Sequence, residues 1–333
     1  MGRPPILLDD TSEAKMKIEQ RVAQYHRYGP PSVLHVAAAA VPTPKSGEAL
    51  VRVHAASVSG GDVTARSGSM RMVTGRKFPQ RTGNDFAGVV EYSDSDTFNP
   101  GDAVWGVLPH FMFGSVAEFV SVPVRRLAPA PMNVDLREAA ALPAAGTTAI
   151  TALQDKAGLR EGERLLVRGA SGGVGSVLVQ LGKALGAHVT ALAGASSLEF
   201  VRSIGADESL DHRTAGPGQL GRYDVIVDAV GTDLSAYRHL LARGGRMVPL
   251  AFDAAHLGRS LLSTVGSMAV HPRSFLPFSN NPTDDTLAAL TTLVEAEAVK
   301  PIVEQYFPLG RVDEAHEALE RGGVRGKYVV ETI

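Results

Sequence analysis

Residues 165–175, Leu-Leu-Val-Arg-Gly-Ala-Ser-Gly-Gly-Val-Gly, have the types and spacing needed to hold a dinucleotide. An apolar run that reads as a buried strand ends in a glycine-dense turn. A helix-like segment, 176–186, follows, with Val177, Leu178, Leu181, Ala184 and Leu185 as its apolar residues. Strand, glycine turn and helix are the context a dinucleotide fingerprint requires. The first glycine expected of that fingerprint is Ala170, and the next two are Gly172 and Gly175. A side chain at Gly172 would block close approach of a pyrophosphate, and one at Gly175 would push the helix off the strand. The start of the helix offers unpaired N–H groups and a positive dipole end to phosphates. Gly169, Ala170, Ser171, Gly172, Gly173, Val174 and Gly175 are therefore the candidate cofactor loop. A flexible Gly/Ser loop is the competing reading, and the flanking strand and helix count against it.

The end of the next strand bears on which dinucleotide is held. Folds that bind NAD usually place an acidic residue at the end of the second strand, against the ribose 2′-hydroxyl. Here that strand runs out through residues 191–197, Ala-Leu-Ala-Gly-Ala-Ser-Ser, and no carboxylate occurs before Glu199. An acid would repel a 2′-phosphate, so its absence favours NADPH over NADH. Ser196, Ser197, Arg202 and Arg213 are candidates to hold the phosphate, although a solvated surface charge explains either arginine equally well. Asp228 and Gly231 close a third apolar run. Ligands of open α/β sheets sit at the carboxyl ends of strands, so Gly231 is expected to let the backbone approach the cofactor ribose while Asp228 caps the turn.

The elements that must carry this loop alternate in type. Strands are expected at 165–167, 188–192, 225–230 and 246–250, with helices at 176–186, 197–204 and 234–241, which argues a doubly wound parallel sheet. Upstream, the segments 18–26, 33–41, 49–58, 86–92, 103–107 and 116–122 read as short strands between Gly/Pro turns, hence a compact β-rich domain. An alanine-rich, helix-like stretch, 136–157, is interrupted by Pro143. Two more helices, 284–295 and 313–321, with Asp313 as the expected N-cap of the second, precede a last strand at 327–330. Residues 1–15 read as a disordered extension. The 333 residues are 44% apolar and 20% charged, with a net charge of −2, ample for a core and without the basic bias of a nucleic-acid or membrane-surface binder. No apolar run is long enough to span a bilayer and the start lacks a signal-peptide layout, so a cytoplasmic location is expected. The absence of cysteine removes disulfides, a cysteine nucleophile and thiolate-bound zinc together. The ten histidines show no paired spacing to replace such ligands, so no metal is expected. His110, between Pro109 and Phe111, is a candidate cleft residue or a plain loop histidine. Phe111, Met112 and Phe113 are candidate pocket walls, as are His271, Phe275 and Phe278 from a Pro-interrupted segment, although aromatics are more often core.

Seven stretches then fall together. They are Tyr28-Gly29-Pro30-Pro31, the run 83–90, the run 101–106, the run 114–122, the run 142–149, the glycine turn 169–175 and Arg325-Gly326-Lys327. In that order and spacing the chain resembles the medium-chain dehydrogenase/reductase superfamily, and most nearly its zinc-free quinone oxidoreductase (zeta-crystallin-like) branch, over residues 16–333. Ala170 in place of the first glycine is in keeping with that branch. The resemblance implies a GroES-like catalytic domain from residues 16–134 and 276–333, a Rossmann cofactor domain from 135–275, a cleft between them and a homodimer. It implies that Thr147 helps to place the nicotinamide. It implies reduction of an activated C=C in a quinone or α,β-unsaturated carbonyl. Departures are as informative. Where zinc-dependent relatives have Gly-His-Glu, this chain has Gly83-Asn84-Asp85. Similar NADPH-dependent reductases carry a lysine near Ser197 and a tyrosine near His212, which leaves His212 as a further cofactor candidate. An Asn-Pro pair before an aspartate is replaced by Ser59-Gly60-Gly61-Asp62, so Ser59 and Asp62 are catalytic candidates with a turn-forming alternative. A cofactor-binding protein with little turnover, and an enoyl reductase with a specialised substrate, need the same glycines and remain open.

Overall fold

The computed structural model describes residues 18–251 and 274–333. The expected extension at 1–15 and His271 lie outside the described residues. Five parallel strands form one sheet: β9 (Arg164–Arg168), β10 (His188–Ala193), β11 (Glu208–Asp211), β12 (Tyr223–Asp228) and β13 (Leu241–Pro249), in the order β11-β10-β9-β12-β13. The order reverses at β9, which has β10 on one side and β12 on the other. Such a switch point opens a crevice at the carboxyl ends of the strands. Alternation along β9 serves two cores. Leu165 and Val167 face the large core shared with helix α5 (Gly173–Ala184), while Leu166 faces a smaller one with Ile226, Tyr237, Met247 and Phe275.

The remaining strands are mainly antiparallel. β1 (Glu19–Tyr25), β2 (His35–Ala40) and β4 (Gln80–Arg81) make a three-stranded sheet. A seven-stranded sheet combines β3 (Glu48–Val58), β5 (Asp85–Ser93), β6 (Ala103–Val107), β7 (Phe119–Pro123) and β8 (Leu127–Pro129) with the chain's last strands, β14 (Val303–Pro308) and β15 (Lys327–Glu331). β15 pairs antiparallel with β3, so the C-terminal end of the chain closes the sheet that its first part began. Helix α1 (Gly60–Ser67) follows β3, and the short helix α2 (Arg71–Thr74) follows that.

Several expectations shift. Pro143 starts a helix rather than only interrupting one: α3 (Leu136–Ala139) ends before it, and α4 (Pro143–Ile150) carries it in the first turn, where its missing N–H costs nothing. Helix α5 begins three residues earlier than its apolar pattern, so Gly173 and Gly175 lie in its first turn. The segment expected to stay strand to 230 leaves β12 at Asp228, because Asp228 Oδ1 accepts from the backbone N–H groups of Val230 (2.8 Å) and Gly231 (2.7 Å) and turns the chain. Asp313 is not the N-cap of its helix. That position belongs to Arg311, with no side-chain cap, and Asp313 sits in the first turn of Val312–Arg321, favourable to the helix dipole.

Candidate functional site

A cavity of about 830 Å³ opens at the switch point. Its walls are the end of β9 (Arg168, Gly169, Ser171), the end of β10 with the residues after it (Leu192–Ser197), His212 and Arg213 after β11, and Val230, Thr232, Asp233 and Tyr237 after β12. Helix α6 (Leu198–Ser203) and helix α7 (Leu234–Arg238) follow two of these loops. Gly169, Ser171, Ser196, Ser197, His212 and Arg213 thus meet in one place from three segments of sequence. Arg202 is exposed on α6 and is not part of this wall. Gly231 is buried behind its neighbours Val230 and Thr232, with φ of +87°, which only glycine adopts freely.

The glycine turn divides by what its absent side chains would meet. A Cβ at Gly175 would lie 2.0 Å from the Gly169 carbonyl oxygen and 2.8 Å from Ala170 Cα, so helix and strand touch backbone to backbone there. A Cβ at Gly172 would meet nothing nearer than the Gly169 oxygen at 3.6 Å. The space beside Gly172 is therefore open, as a ligand requires. Ala170 and Gly175 are buried; Val174 is half-buried against the main core.

Two residues of this region are not among the candidate site residues that the sequence offers. Arg168 shares a face of β9 with Leu166. Its guanidinium lies 3.5 Å from the Tyr237 ring centroid, pairs with buried Asp228 and donates to the Thr232 carbonyl at 2.8 Å. An arginine at the end of an otherwise apolar buried strand was the available hint. Lys327 is the other. A Cβ at Gly173 would strike its side chain at 2.7 Å. Its ammonium donates to Ser57 Oγ (2.7 Å), Ser57 Oγ donates to Asp85 Oδ1 (2.6 Å), and Asp85 Oδ2 accepts from the N–H of Ala144 (3.1 Å) in the first turn of α4. The backbone of the same segment adds a bond from Gly326 N–H to the Ser171 carbonyl, 2.8 Å. Together these fasten the glycine turn to the seven-stranded sheet. Burial raises the Asp85 carboxyl above its ordinary range, against the pull of Lys327, the Ser57 hydroxyl and the Ala144 N–H.

The catalytic candidates fare differently. Ser59 is the N-cap of α1, and with Asp62 it makes a reciprocal capping box. Asp62 Oδ2 accepts from Ser59 N–H (2.8 Å) and Ser59 Oγ (2.6 Å), while Oδ1 accepts from Gly83 N–H (2.7 Å). Asp62 is 1% exposed. The Ser59 proton is committed to that carboxylate, in line with the turn-forming alternative. Thr147 is fully buried; its hydroxyl donates to the Pro143 carbonyl (2.7 Å) and accepts from Asn280 Nδ2 (2.9 Å). His110 Nε2 lies 2.5 Å from Ser279 Oγ, one residue from that asparagine. Its ring stacks on Phe111, whose φ of +62° is unusual for a residue with a side chain. Phe111 and Met112 are exposed and Phe113 half-buried. Phe278 is half-buried against the main core. Phe275 is no pocket wall: it is 3% exposed, with its backbone bridged to Met247 along β13 and its ring in the smaller core.

At the place of a zinc-ligating histidine, Asn84 donates its amide N–H to the Met112 carbonyl, 3.1 Å. Its neighbour Asp85 is engaged as above, and the chain holds no cysteine. Among the described residues no group of three or more histidines or carboxylates is arranged to hold a metal ion. These donors do not fit zinc.

Family models match residues 45–132 as an alcohol dehydrogenase GroES-like domain and residues 204–330 as a zinc-binding dehydrogenase. The chloroplast envelope quinone oxidoreductase homolog of Arabidopsis thaliana is 35% identical over 324 residues, covering 92% of this chain and 97% of the relative. The chloroplastic NADPH-dependent alkenal/one oxidoreductase of the same plant is 32% identical over 337 residues, covering 97% and 82%. The solved quinone oxidoreductase of Coxiella burnetii superposes with a TM-score of 0.85 at 26% identity, over 95% of this chain and 100% of its own. Fold, sheet order and sequence likeness over nearly the whole length agree: the chain is an oxidoreductase of the medium-chain dehydrogenase/reductase superfamily, in its quinone oxidoreductase branch.

Proposed function

We propose that this protein uses NADPH to reduce the activated C=C of a quinone or α,β-unsaturated carbonyl, without a metal ion. The observation that carries the reading is the cavity at the end of β10, where two serines, a histidine and an arginine converge and the strand end lacks a carboxylate. When bound, NADPH supplies a hydride to the β-carbon of the acceptor. The open side of Gly172 and the first turn of α5 receive the pyrophosphate. Ser196, Ser197, His212 and Arg213 hold the 2′-phosphate, and Arg168 with Tyr237 forms the opposite wall. Lys327, tied to Ser57, keeps the turn at a fixed distance from the seven-stranded sheet. As negative charge grows on the acceptor's carbonyl oxygen, the His110–Ser279 pair donates a hydrogen bond to it, a reading supported by Ser279 being next in sequence to Asn280, which bonds Thr147, and solvent supplies the proton to the α-carbon. Asn84 and the lack of thiolates support chemistry that needs no Lewis acid.

The test is NADPH consumption, followed by its absorbance, with a panel of quinones and enones before and after exhaustive chelation. The expected result is turnover that chelation leaves unchanged. Tight NADPH binding with no turnover on any acceptor would reject the reductase reading, and loss of turnover on chelation would reject metal independence.

A further inference from the structure

We infer that Arg81 is an anion receptor at the edge of the reducing site: it holds a carboxylate or a phosphate carried by the acceptor, and so selects charged enones or enoyl thioesters over neutral ones. The inference rests on the loop 109–113 meeting the acceptor, as proposed above.

Buried arginines of this chain are spent on partners. Arg66 bonds Glu320 and Arg168 pairs with Asp228. Even Arg126, which faces no carboxylate, donates to the Pro282 carbonyl (2.7 Å) and to Asn281 Oδ1. Arg81 is half-buried, yet among the described residues its guanidinium makes no hydrogen bond and no ion pair. Burial alone lowers its pKa from the ordinary arginine value, with no neighbouring charge contributing. The group stays cationic all the same. Taking a guanidinium partly out of water without a counter-charge is unfavourable, so an anion that reached it would be bound strongly.

The backbone sets this arginine at the foot of the loop that carries His110. Segment 82–84 bonds to the residues on both sides of that loop. Leu108 N–H donates to the Asn84 carbonyl (2.8 Å), Gly114 N–H to the Gly83 carbonyl (2.7 Å) and Val116 N–H to the Thr82 carbonyl (3.2 Å). Arg81 immediately precedes the segment, and its stem crosses Gly114. A Cβ at Gly114 would lie 3.3 Å from Arg81 Cδ. Gln80 turns to the other face of β4 and accepts from the Tyr25 hydroxyl (2.9 Å), so the two side chains do not meet. Phe111 and Met112 of the same loop are exposed. An aromatic ring, a thioether and one bare guanidinium suit an apolar acceptor that ends in an anion.

No acid of the same stretch competes. Between Asp62 and Asp85 the chain has no carboxylate. Both of those are buried and engaged, Asp62 with Ser59 and Gly83, Asp85 with Ser57 and Ala144. Arg71, Arg76 and Lys77 are exposed and make no ion pair among the described residues. Apart from paired Arg66, the stretch therefore presents only uncompensated positive charge, in a chain whose net charge is −2. Such a field draws an anion in before contact. The planar fork of Arg81 then matches a carboxylate or a phosphate through two parallel hydrogen bonds.

Steady-state kinetics with NADPH and two pairs of acceptors test this. One pair is β-acetylacrylate and its methyl ester; the other is crotonyl-coenzyme A and crotonyl-N-acetylcysteamine, which lacks the phosphates. In at least one pair the wild type is expected to favour the charged member in kcat/KM by roughly tenfold, the worth of a charge-assisted bond, and mainly through KM. The pair that shows it tells a carboxylate from a phosphate. Arg81→Met is expected to lower that ratio roughly tenfold, and Arg81→Lys, which keeps the charge without the fork, to retain part of it. Arg81→Met should also melt no lower than wild type, because it removes a charge with no partner, whereas an arginine that only supports the fold would lose stability. A ratio near unity in both pairs, a ratio unmoved in Arg81→Met, or a destabilised Arg81→Met that slows both members of each pair alike would overturn the role of Arg81 while leaving the reductase reading in place. No turnover of any acceptor, neutral or charged, would overturn that reading itself.

Discussion

Two polar clusters of similar composition have opposite fates in this molecule. Beside α1, Ser59 and Thr82 bond to Asp62, Thr82 also meets His316 Nε2, and the guanidinium of buried Arg66 donates to Glu320 and the Gly29 carbonyl, leaving His316 Nδ1 and Arg66 Nε buried without a partner among the described residues. At the ends of β9 and β10, Ser196, Ser197, His212 and Arg213 surround open space. The cluster beside α1 has the residue types of an acid–base site and works as a clamp. The cluster at the strand ends resembles an ordinary Gly/Ser loop, and among the described residues its serine hydroxyls, the Arg213 side chain and His212 Nε2 make no hydrogen bond. What separates them is access to open space, not residue type, because a buried group whose neighbours are protein has little left to offer a ligand.

The contrast is sharpest at the two glycines of the turn, and Gly175 gives the largest effect. Gly175→Val places a side chain against Gly169 oxygen at 2.0 Å, where backbone must move. A loss of about 3 kcal/mol or more, or failure to fold, is expected in denaturant unfolding. A folded, fully stable variant would show that helix and strand do not need that contact.

Asp62→Ala removes the carboxylate that receives Ser59 N–H, Ser59 Oγ and Gly83 N–H. The expected cost is about 3 kcal/mol of stability, with kcat per folded molecule little changed. Intact stability with abolished turnover would instead move this cluster into the reacting site.

His316 tests the same cluster by pH. Burial, and then the charge of Arg66, lower its pKa to about 3, while an unfolded histidine titrates near about 6.5. The unfolded chain therefore takes the proton first. The contribution to stability is whole above the unfolded value and is lost as pH falls from there toward the folded value. Between about pH 6.5 and 4.5 that amounts to about 2–3 kcal/mol. His316→Gln keeps a donor for Thr82 but does not titrate, so its unfolding free energy is expected to fall less over the same range. Equal pH dependence in both proteins would place the acid sensitivity elsewhere.

How much of this was legible in the sequence follows the range of the contacts. The parallel sheet announces itself because each central strand is an apolar run buried on both faces, as at Leu165, Leu166 and Val167. The edge strands β11 and β14 were silent. β11 buries Ser209 while leaving Glu208 exposed, and β14 buries only Phe307, so neither makes a run. The glycine turn was legible because its geometry is local. Lys327 was not: its sequence neighbourhood matched the family pattern, but its partner Ser57 is 270 residues away, and no periodicity links the two. Ser59 and Asp62 invited a catalytic reading because an N-cap and an acid–base pair use the same residue types.

The smallest expected effect on the fold separates the two clusters most directly. Gly172 has φ of −75°, which alanine adopts without strain, and its Cβ would have only ordinary contact at 3.6 Å. Gly172→Ala should leave unfolding within about 0.5 kcal/mol of wild type. The methyl group would project into the space beside the first turn of α5, where backbone N–H groups are unpaired for a phosphate. Calorimetric titration should therefore show NADPH weakened by roughly tenfold or more, about 1.4 kcal/mol. Structural glycines fail in the opposite sense, losing stability first and binding only as a consequence. A Gly172→Ala protein that binds NADPH like wild type would mean that the open space is not where the phosphates lie. The contrast between a spent cluster and a waiting one would then have to be drawn somewhere else in the molecule.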